Sequence, residues 1–314
     1  MPEKDENSVV ISDVTLREFG QNVPASHLHL FTPKIRAKIA LELIESGFTH
    51  LEVLSCVNPK LAPTMNKKDL RDTLKEIGRL EEVQMISLVP NWTGYNNFLD
   101  LDLGPQGYNH TMGIFFSAIE EHNLANLGKN IEDTLTDYKV LVQEAKKENI
   151  RVVGYISAVF GYIDPWDGAL LKSSVKDINR YIDLLLDWGL EAVALSDLQG
   201  VADDKETGRL LQDLLEERKG KNIDLLGYHP HNLSGHAAIN NSKTAYSLGL
   251  RRFDASLGGT GGCVTGAPGN QPTEELLKMF NDLEVQTGLD QERVFSLAER
   301  IREELYRQIP LIKE

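Results

Sequence analysis

Two histidines one residue apart, His229 and His231, lie in the stretch LLGYHPHN (225–232). In a strand, residues two apart share a face, so both imidazoles would point the same way. Neutral imidazoles so placed can chelate one divalent cation, or they can be a hydrogen-bonded structural pair. Pro230 between them lacks a ladder donor, which a strand end tolerates. Polar residues recur at the ends of the other apolar runs. Asp13, Thr15, Arg17 and Glu18 close the first, and Glu52 and Ser55 lie on the second. Tyr155 and Ser157 lie on the fifth, and Asp197 ends the sixth. After the last comes GGTGGCVTGAPGN (258–270), with Cys263 and Asn270. Two imidazoles, a carboxylate from the first run and an amide from the last loop make a mixed nitrogen and oxygen set. It suits octahedral Mg²⁺ or Mn²⁺, with Co²⁺ or Zn²⁺ as alternatives, whereas a closed zinc site would prefer thiolates. The glycine-rich stretch lacks the Gly-Lys-Ser/Thr of a phosphate loop. Its composition fits a lid that carries Cys263 over bound substrate, or a plain loop with an incidental thiol. Cys56, in LSCVNPK, reads as a packed thiol.

These residues need elements to bring them together. Apolar, β-branched runs occur at 8–16, 50–55, 83–89, 111–117, 151–159, 191–197, 223–229 and 251–257. They are near-continuous, as strands buried on both faces are. Helical patterns lie between them at 33–47, 67–79, 131–148, 173–189, 203–218 and 236–248, with a weaker one at 91–104. Two more follow at 273–283 and 290–307. Thr32, Pro33 and Gly47 mark the start and stop of the first of these helices. Eight alternations predict a (β/α)8 TIM barrel with an extra C-terminal helix; a doubly wound open sheet is the other arrangement. In such a barrel, chemistry sits where strands end, and that is where the polar residues fall. No Pro/Gly/Ser-rich linker divides the chain, so 1–314 is read as one catalytic domain with residues 1–7 mobile.

The 314 residues are 41% hydrophobic and 25% charged, the balance of a soluble globular enzyme. A net charge of −14 disfavours nucleic acid, which needs a basic surface. An anionic small molecule would need local cations or a metal to offset that field. No stretch reaches the roughly 18 apolar residues of a membrane span. MPEKDENSVV has neither a secretory core nor a transit pattern, so the cytoplasm is the expected compartment. Two cysteines so far apart do not make a disulfide framework.

DVTLRE (13–18), HPHN (229–232) and GGTGGC with Asn270 together resemble the DRE-TIM metallolyases. Within them the chain is similar to the 3-hydroxy-3-methylglutaryl-CoA (HMG-CoA) lyase branch, over about residues 9–305. LEVLSCVNPKLAPTM (51–65) and VVGYISAVFG (152–161) add to the likeness, and Cys263 stands where condensing synthases of the superfamily carry Arg. The resemblance implies a retro-Claisen cleavage of a 3-hydroxy acyl thioester to acetyl-CoA and a keto acid, with a divalent cation bound. By position, it assigns metal binding to Glu18, His229, His231 and Asn270. It puts Arg17 at the thioester carbonyl, Glu52 and Asp197 at the protons near the tertiary hydroxyl, and Cys263 at the acetyl-CoA carbanion. Gln21, Ser55 and Tyr155 are expected to contact substrate, and a homodimer is the expected assembly. There are departures from the family pattern. Glu18 stands where an Asp is usual, Ala194 where a Ser is usual, and residues 23–30 are extra. Only six residues separate Cys263 from Asn270. These departures bear on the acyl group. A citramalyl-type thioester or a 4-hydroxy-2-oxo acid is the alternative substrate, a condensing acyltransferase the alternative reaction, and a silent binding barrel the alternative outside enzymes.

Overall fold

The computed structural model of the chain describes residues 7–233, 237–261 and 268–309. The first half runs β1 (Val10–Asp13), α1 (Thr15–Asn22), α2 (Pro33–Glu45), β2 (His50–Ser55), α3 (Lys67–Ile77), β3 (Gln84–Leu88), α4 (Trp92–Asp100) and β4 (Thr111–Ser117). Next come α5 (Glu120–Leu127), α6 (Ile131–Lys147), β5 (Val152–Ser157), a small antiparallel pair β6 (Tyr162–Ile163) and β7 (Leu170–Leu171), α7 (Val175–Asp187) and β8 (Val193–Asp197). The remainder is α8 (Asp204–Arg218), β9 (Leu226–Pro230), α9 (Ala237–Ser247), β10 (Arg252–Ala255), α10 (Thr273–Asp282) and α11 (Gln291–Ile301). The eight long strands close in the order β1-β10-β9-β8-β5-β4-β3-β2, all parallel. Because β1 pairs with both β2 and β10, the sheet has no edge, and the open-sheet arrangement is excluded.

The closure follows from the sequence. Strand residues such as Leu51, Val53, Ile114, Ile156, Val193 and Phe253 are fully buried, since helices cover the outside and side chains fill the inside. Polar residues start the helices: Thr32 Oγ1 accepts from Ile35 N at 3.4 Å, and Ser174 Oγ accepts from Asp177 N at 3.1 Å. Each cap fixes where a strand's exit loop ends and the return helix begins.

Three expectations need correction. The run 8–16 is not one strand. It stops at Asp13, whose carboxylate accepts from Thr15 N (3.0 Å) and from Thr15 Oγ1 (2.7 Å) and so turns the chain into α1. Arg17 and Glu18 therefore stand on the first turn of a helix, not on a strand. The pattern at 290–307 is not one α-helix, because α11 ends at Ile301 and a π turn carries Arg302–Tyr306. Helix α5 and the β6–β7 hairpin, both in exit loops, have no counterpart among the expected elements. Among the described residues, no helix is long and apolar enough to cross a membrane.

Candidate metal centre and active site

Residues of β3, β4, β5, β8 and β9, with the segments that follow β1 and β2, line a cavity of about 260 Å³. Arg17, Glu18, Gln21, Tyr155, His229 and His231 all line it. His229 is the penultimate residue of β9, and its Nδ1 lies 3.0 Å from Asp254 Oδ2 on β10. His231 Nδ1 lies 2.7 Å from the Pro268 carbonyl. Each ring thus donates its Nδ1–H to an acceptor, which assigns Nε2 as the bare nitrogen of both. The two Nε2 atoms are 3.2 Å apart. Two lone pairs that close repel unless a proton or a cation lies between them. Glu18 Oε1 is 4.0 Å from His229 Nε2, and one donor atom each from Glu18, His229 and His231 fall within 4.8 Å of one another.

Asn270 reaches the same corner through backbone pairing. His231 bridges Asn270 in antiparallel fashion, Asn232 N donates to Gly269 O at 2.7 Å, and Gln271 N donates to Pro230 O at 3.2 Å. Asn270 Nδ2 donates to Thr260 O at 3.0 Å, and among the described residues its buried Oδ1 has no hydrogen-bond partner. A buried amide oxygen without a donor is costly, and a hard cation is the natural occupant of that position. Gly261 shows why glycine is required beside it. Its φ is +92°, and a Cβ there would stand 2.4 Å from Glu18 Cβ.

Charge points the same way. Arg17 lies between two carboxylates: its Nη1 pairs with Glu18, and its Nε and Nη2 meet Glu52 Oε2 at 2.6 and 2.5 Å. With Asp254 behind His229, three carboxyl groups surround one guanidinium, a set that a divalent cation would complement. Burial pushes Glu52 up despite Arg17 beside it. Burial and the neighbouring His229 lower His231 to about 4. Burial also pulls His229 down, but the hydrogen bond and charge of Asp254 outweigh it and leave its pKa raised. Burial lifts the Tyr155 phenol far above its usual value, and the Glu52 and Asp254 carboxylates add to it.

The other expected residues fall into place differently. Glu52 meets the site through Arg17, which its Oε2 holds, and through a hydrogen bond with Tyr155. Ser55 is fully buried and accepts from Gln21 Nε2 at 3.1 Å, so it acts through Gln21 rather than by lining the cavity. Asp197 is turned away. Its oxygens accept from Val201 N (3.0 Å) and Ala202 N (3.1 Å), while its neighbours Ser196 and Leu198 line the cavity. Burial raises Asp197 to about 6 against those bonds. Cys263, with the rest of 262–267 in the expected lid, lies outside the described residues. Asp254 was missed by sequence reasoning. Its one signal is a carboxylate in the middle of the apolar run RRFDASL.

The HMGL-like family model matches residues 8–301, nearly the whole barrel. The chain belongs to the HMGL-like family. It is an enzyme of that carbon–carbon lyase family, with the Glu-His-His group where a divalent ion would sit. A hydroxymethylglutaryl-CoA lyase from Bacillus subtilis is 31% identical over 271 residues, 86% of this chain and 85% of that one. An (R)-citramalyl-CoA lyase from Chloroflexus aurantiacus is 27% identical over 317 residues, 97% of this chain and 93% of that one. Among solved structures, an HMG-CoA lyase from Acinetobacter baumannii, in complex with coenzyme A and 3-methylmalate, superposes with a TM-score of 0.82 at 25% identity. That alignment covers 96% of this HMGL-like chain and 93% of the other.

Proposed function

We propose that this HMGL-like protein is a divalent-metal-dependent acyl-CoA lyase that splits a 3-hydroxy-3-methylglutaryl-CoA-like thioester into acetyl-CoA and a keto acid. The observation that carries the reading is the buried Oδ1 of Asn270, without a partner among the described residues, beside the paired Nε2 atoms of His229 and His231. Glu18, His229, His231 and Asn270 would hold the cation, Mg²⁺ or Mn²⁺ by the hardness of the set. A cation there would chelate the substrate's tertiary hydroxyl and a carboxylate and make that hydroxyl more acidic.

The chain's own residues supply the remaining steps. Glu52 takes the hydroxyl proton. The O–H electron pair forms the ketone as the carbon–carbon bond breaks, and the bond's pair moves into the thioester as an enolate. Arg17, held rigid by Glu52, faces that enolate oxygen and offsets its charge. Cys263 returns a proton to the enolate carbon, a role a thiol suits because its pKa lies near neutrality. Gln21, anchored by Ser55, and Tyr155 orient the substrate, while Asp197 contributes by fastening the loop after β8.

A second reading has its own observation. The citramalyl-CoA lyase relative aligns over 97% of the chain, against 86% for the Bacillus lyase. A citramalyl-type acyl group keeps the same bond cleavage. The test is a panel of 3-hydroxyacyl-CoA thioesters with Mn²⁺, followed by acetyl-CoA release. HMG-CoA is expected to turn over fastest. Preference for citramalyl-CoA selects the second reading, and cleavage of free hydroxy acids but no thioester overturns both.

A further inference from the structure

The C-terminal π turn lies against the helix that carries Glu18 and against the turn that leads to the partner of Asn270. The Tyr306 ring packs on Phe19, the residue next to Glu18, with centroids 4.9 Å apart. Phe19 is braced from its other side by Phe31, edge to face at 5.0 Å. The Tyr306 hydroxyl donates to the Leu257 carbonyl at 3.0 Å. One turn back, Arg302 Nη2 donates to Glu274 at 3.0 Å, and Glu274 accepts from Gly258 N at 2.8 Å. Thr15 Oγ1 holds Leu257 N at 2.9 Å. The Leu257–Gly258 turn is therefore gripped at three successive backbone groups.

That turn leads straight to the centre. Gly258 and Gly259 adopt left-handed φ values of 66° and 68°, which direct the chain to Thr260. The Thr260 carbonyl accepts from Asn270 Nδ2 and from Ser256 Oγ, at 3.0 and 2.7 Å, and so decides which way the Asn270 amide faces. Gly261 then closes on Glu18. We propose that Tyr306 is a positioning residue for the metal centre: through Leu257–Thr260 it orients Asn270, and through Phe19 it sets Glu18. It touches neither substrate nor ligand atoms. A helix added to the end of the barrel thereby becomes a support for chemistry at the opposite end of the chain.

The inference rests on the metal reading of the site, so its test reads metal binding rather than turnover. Tyr306→Phe keeps the ring on Phe19 and removes only the hydroxyl. Mn²⁺ is titrated into the metal-stripped full chain by calorimetry. The Kd of Tyr306→Phe should rise about tenfold, the scale seen when a supporting partner of a ligand is lost. The melting temperature of the metal-free variant should stay within about 5 °C of the unsubstituted chain, as loss of one hydrogen bond implies. Arg302→Gln, which frees Glu274 from its brace, should weaken Mn²⁺ in the same direction. Tyr246→Phe, which removes a hydroxyl bonded to Asn7 on the exposed surface, should leave the Kd unchanged. Equal Mn²⁺ affinity in Tyr306→Phe and the unsubstituted chain overturns the positioning role and leaves the metal reading intact. No Mn²⁺ binding by the unsubstituted chain overturns both.

Discussion

Arg17 is the side chain whose surroundings say most about the chemistry. It is buried, wedged between Glu18 and Glu52, and lines the cavity with the histidines. A guanidinium fixed in this way cannot reorganise as charge develops in front of it, which is the condition for effective enolate stabilisation. Arg17→Gln should therefore lower kcat by about a hundredfold or more, the usual cost of losing one such donor, while Mn²⁺ binding persists. Steady-state kinetics with a parallel metal titration checks this. A kcat near that of the unsubstituted chain would remove Arg17 from the reaction. The residue types at this corner were legible because a carboxylate, two imidazoles and an amide are an unusual set at strand ends. Asp254 was not legible. A lone carboxylate inside an apolar run shows its purpose only when β10 lies beside β9 and His229 donates to it at 3.0 Å. Asp197 shows the converse. It has the right type at the right strand end, but the backbone N–H groups of Val201 and Ala202 claim its oxygens.

At the scale of elements, long buried strands and capped helices were readable because periodicity and caps act locally. The failures share a cause as well. Helix α1 was read as strand because Val14 and Thr15 are β-branched, and only the Asp13 carboxylate closing on Thr15 reveals the turn. Helix α5 has only eight residues and buries His122 and Asn123, polar types that periodicity does not count as core. His122 is an odd occupant: among the described residues neither buried ring nitrogen has a hydrogen-bond partner, and the ring packs on Tyr162 at 4.8 Å. Burial lowers its pKa to about 4. Unfolded, this imidazole takes up a proton below about pH 6.5, while folded it resists until about pH 4, so its contribution to stability is lost as pH falls through that window. His122→Phe removes the buried nitrogens and keeps the ring. It should stabilise the fold by about 1 kcal/mol at pH 7, and by up to about 2 kcal/mol more at pH 5. Urea unfolding at the two pH values reads the difference. A destabilised variant, or a gain that does not grow in acid, would show that His122 has a partner in solution.

At the scale of the whole molecule, a strongly acidic chain that takes the proposed anionic substrate needs positive charge placed locally. A net charge of −14 repels anions at long range, yet Arg17 and the candidate cation ligands Glu18, His229 and His231 line the cavity. The barrel makes this local reversal achievable, because parallel strands deliver residues far apart in sequence to one rim. That architecture was legible from eight alternations. The part played by the last helix was not, since Tyr306 gains its meaning only from Phe19 and Leu257, residues it meets after closure. The central claim is that Glu18, His229, His231 and Asn270 form one divalent-metal site on which cleavage depends. It is tested most directly by stripping the purified protein of metal, restoring Mn²⁺ in steps, and following bound ion and acetyl-CoA release from HMG-CoA together. The account predicts saturation at one ion per chain, turnover proportional to occupancy, and loss of both in His229→Ala with the fold retained. Full turnover by the stripped protein, or tight Mn²⁺ binding that survives His229→Ala, would contradict it.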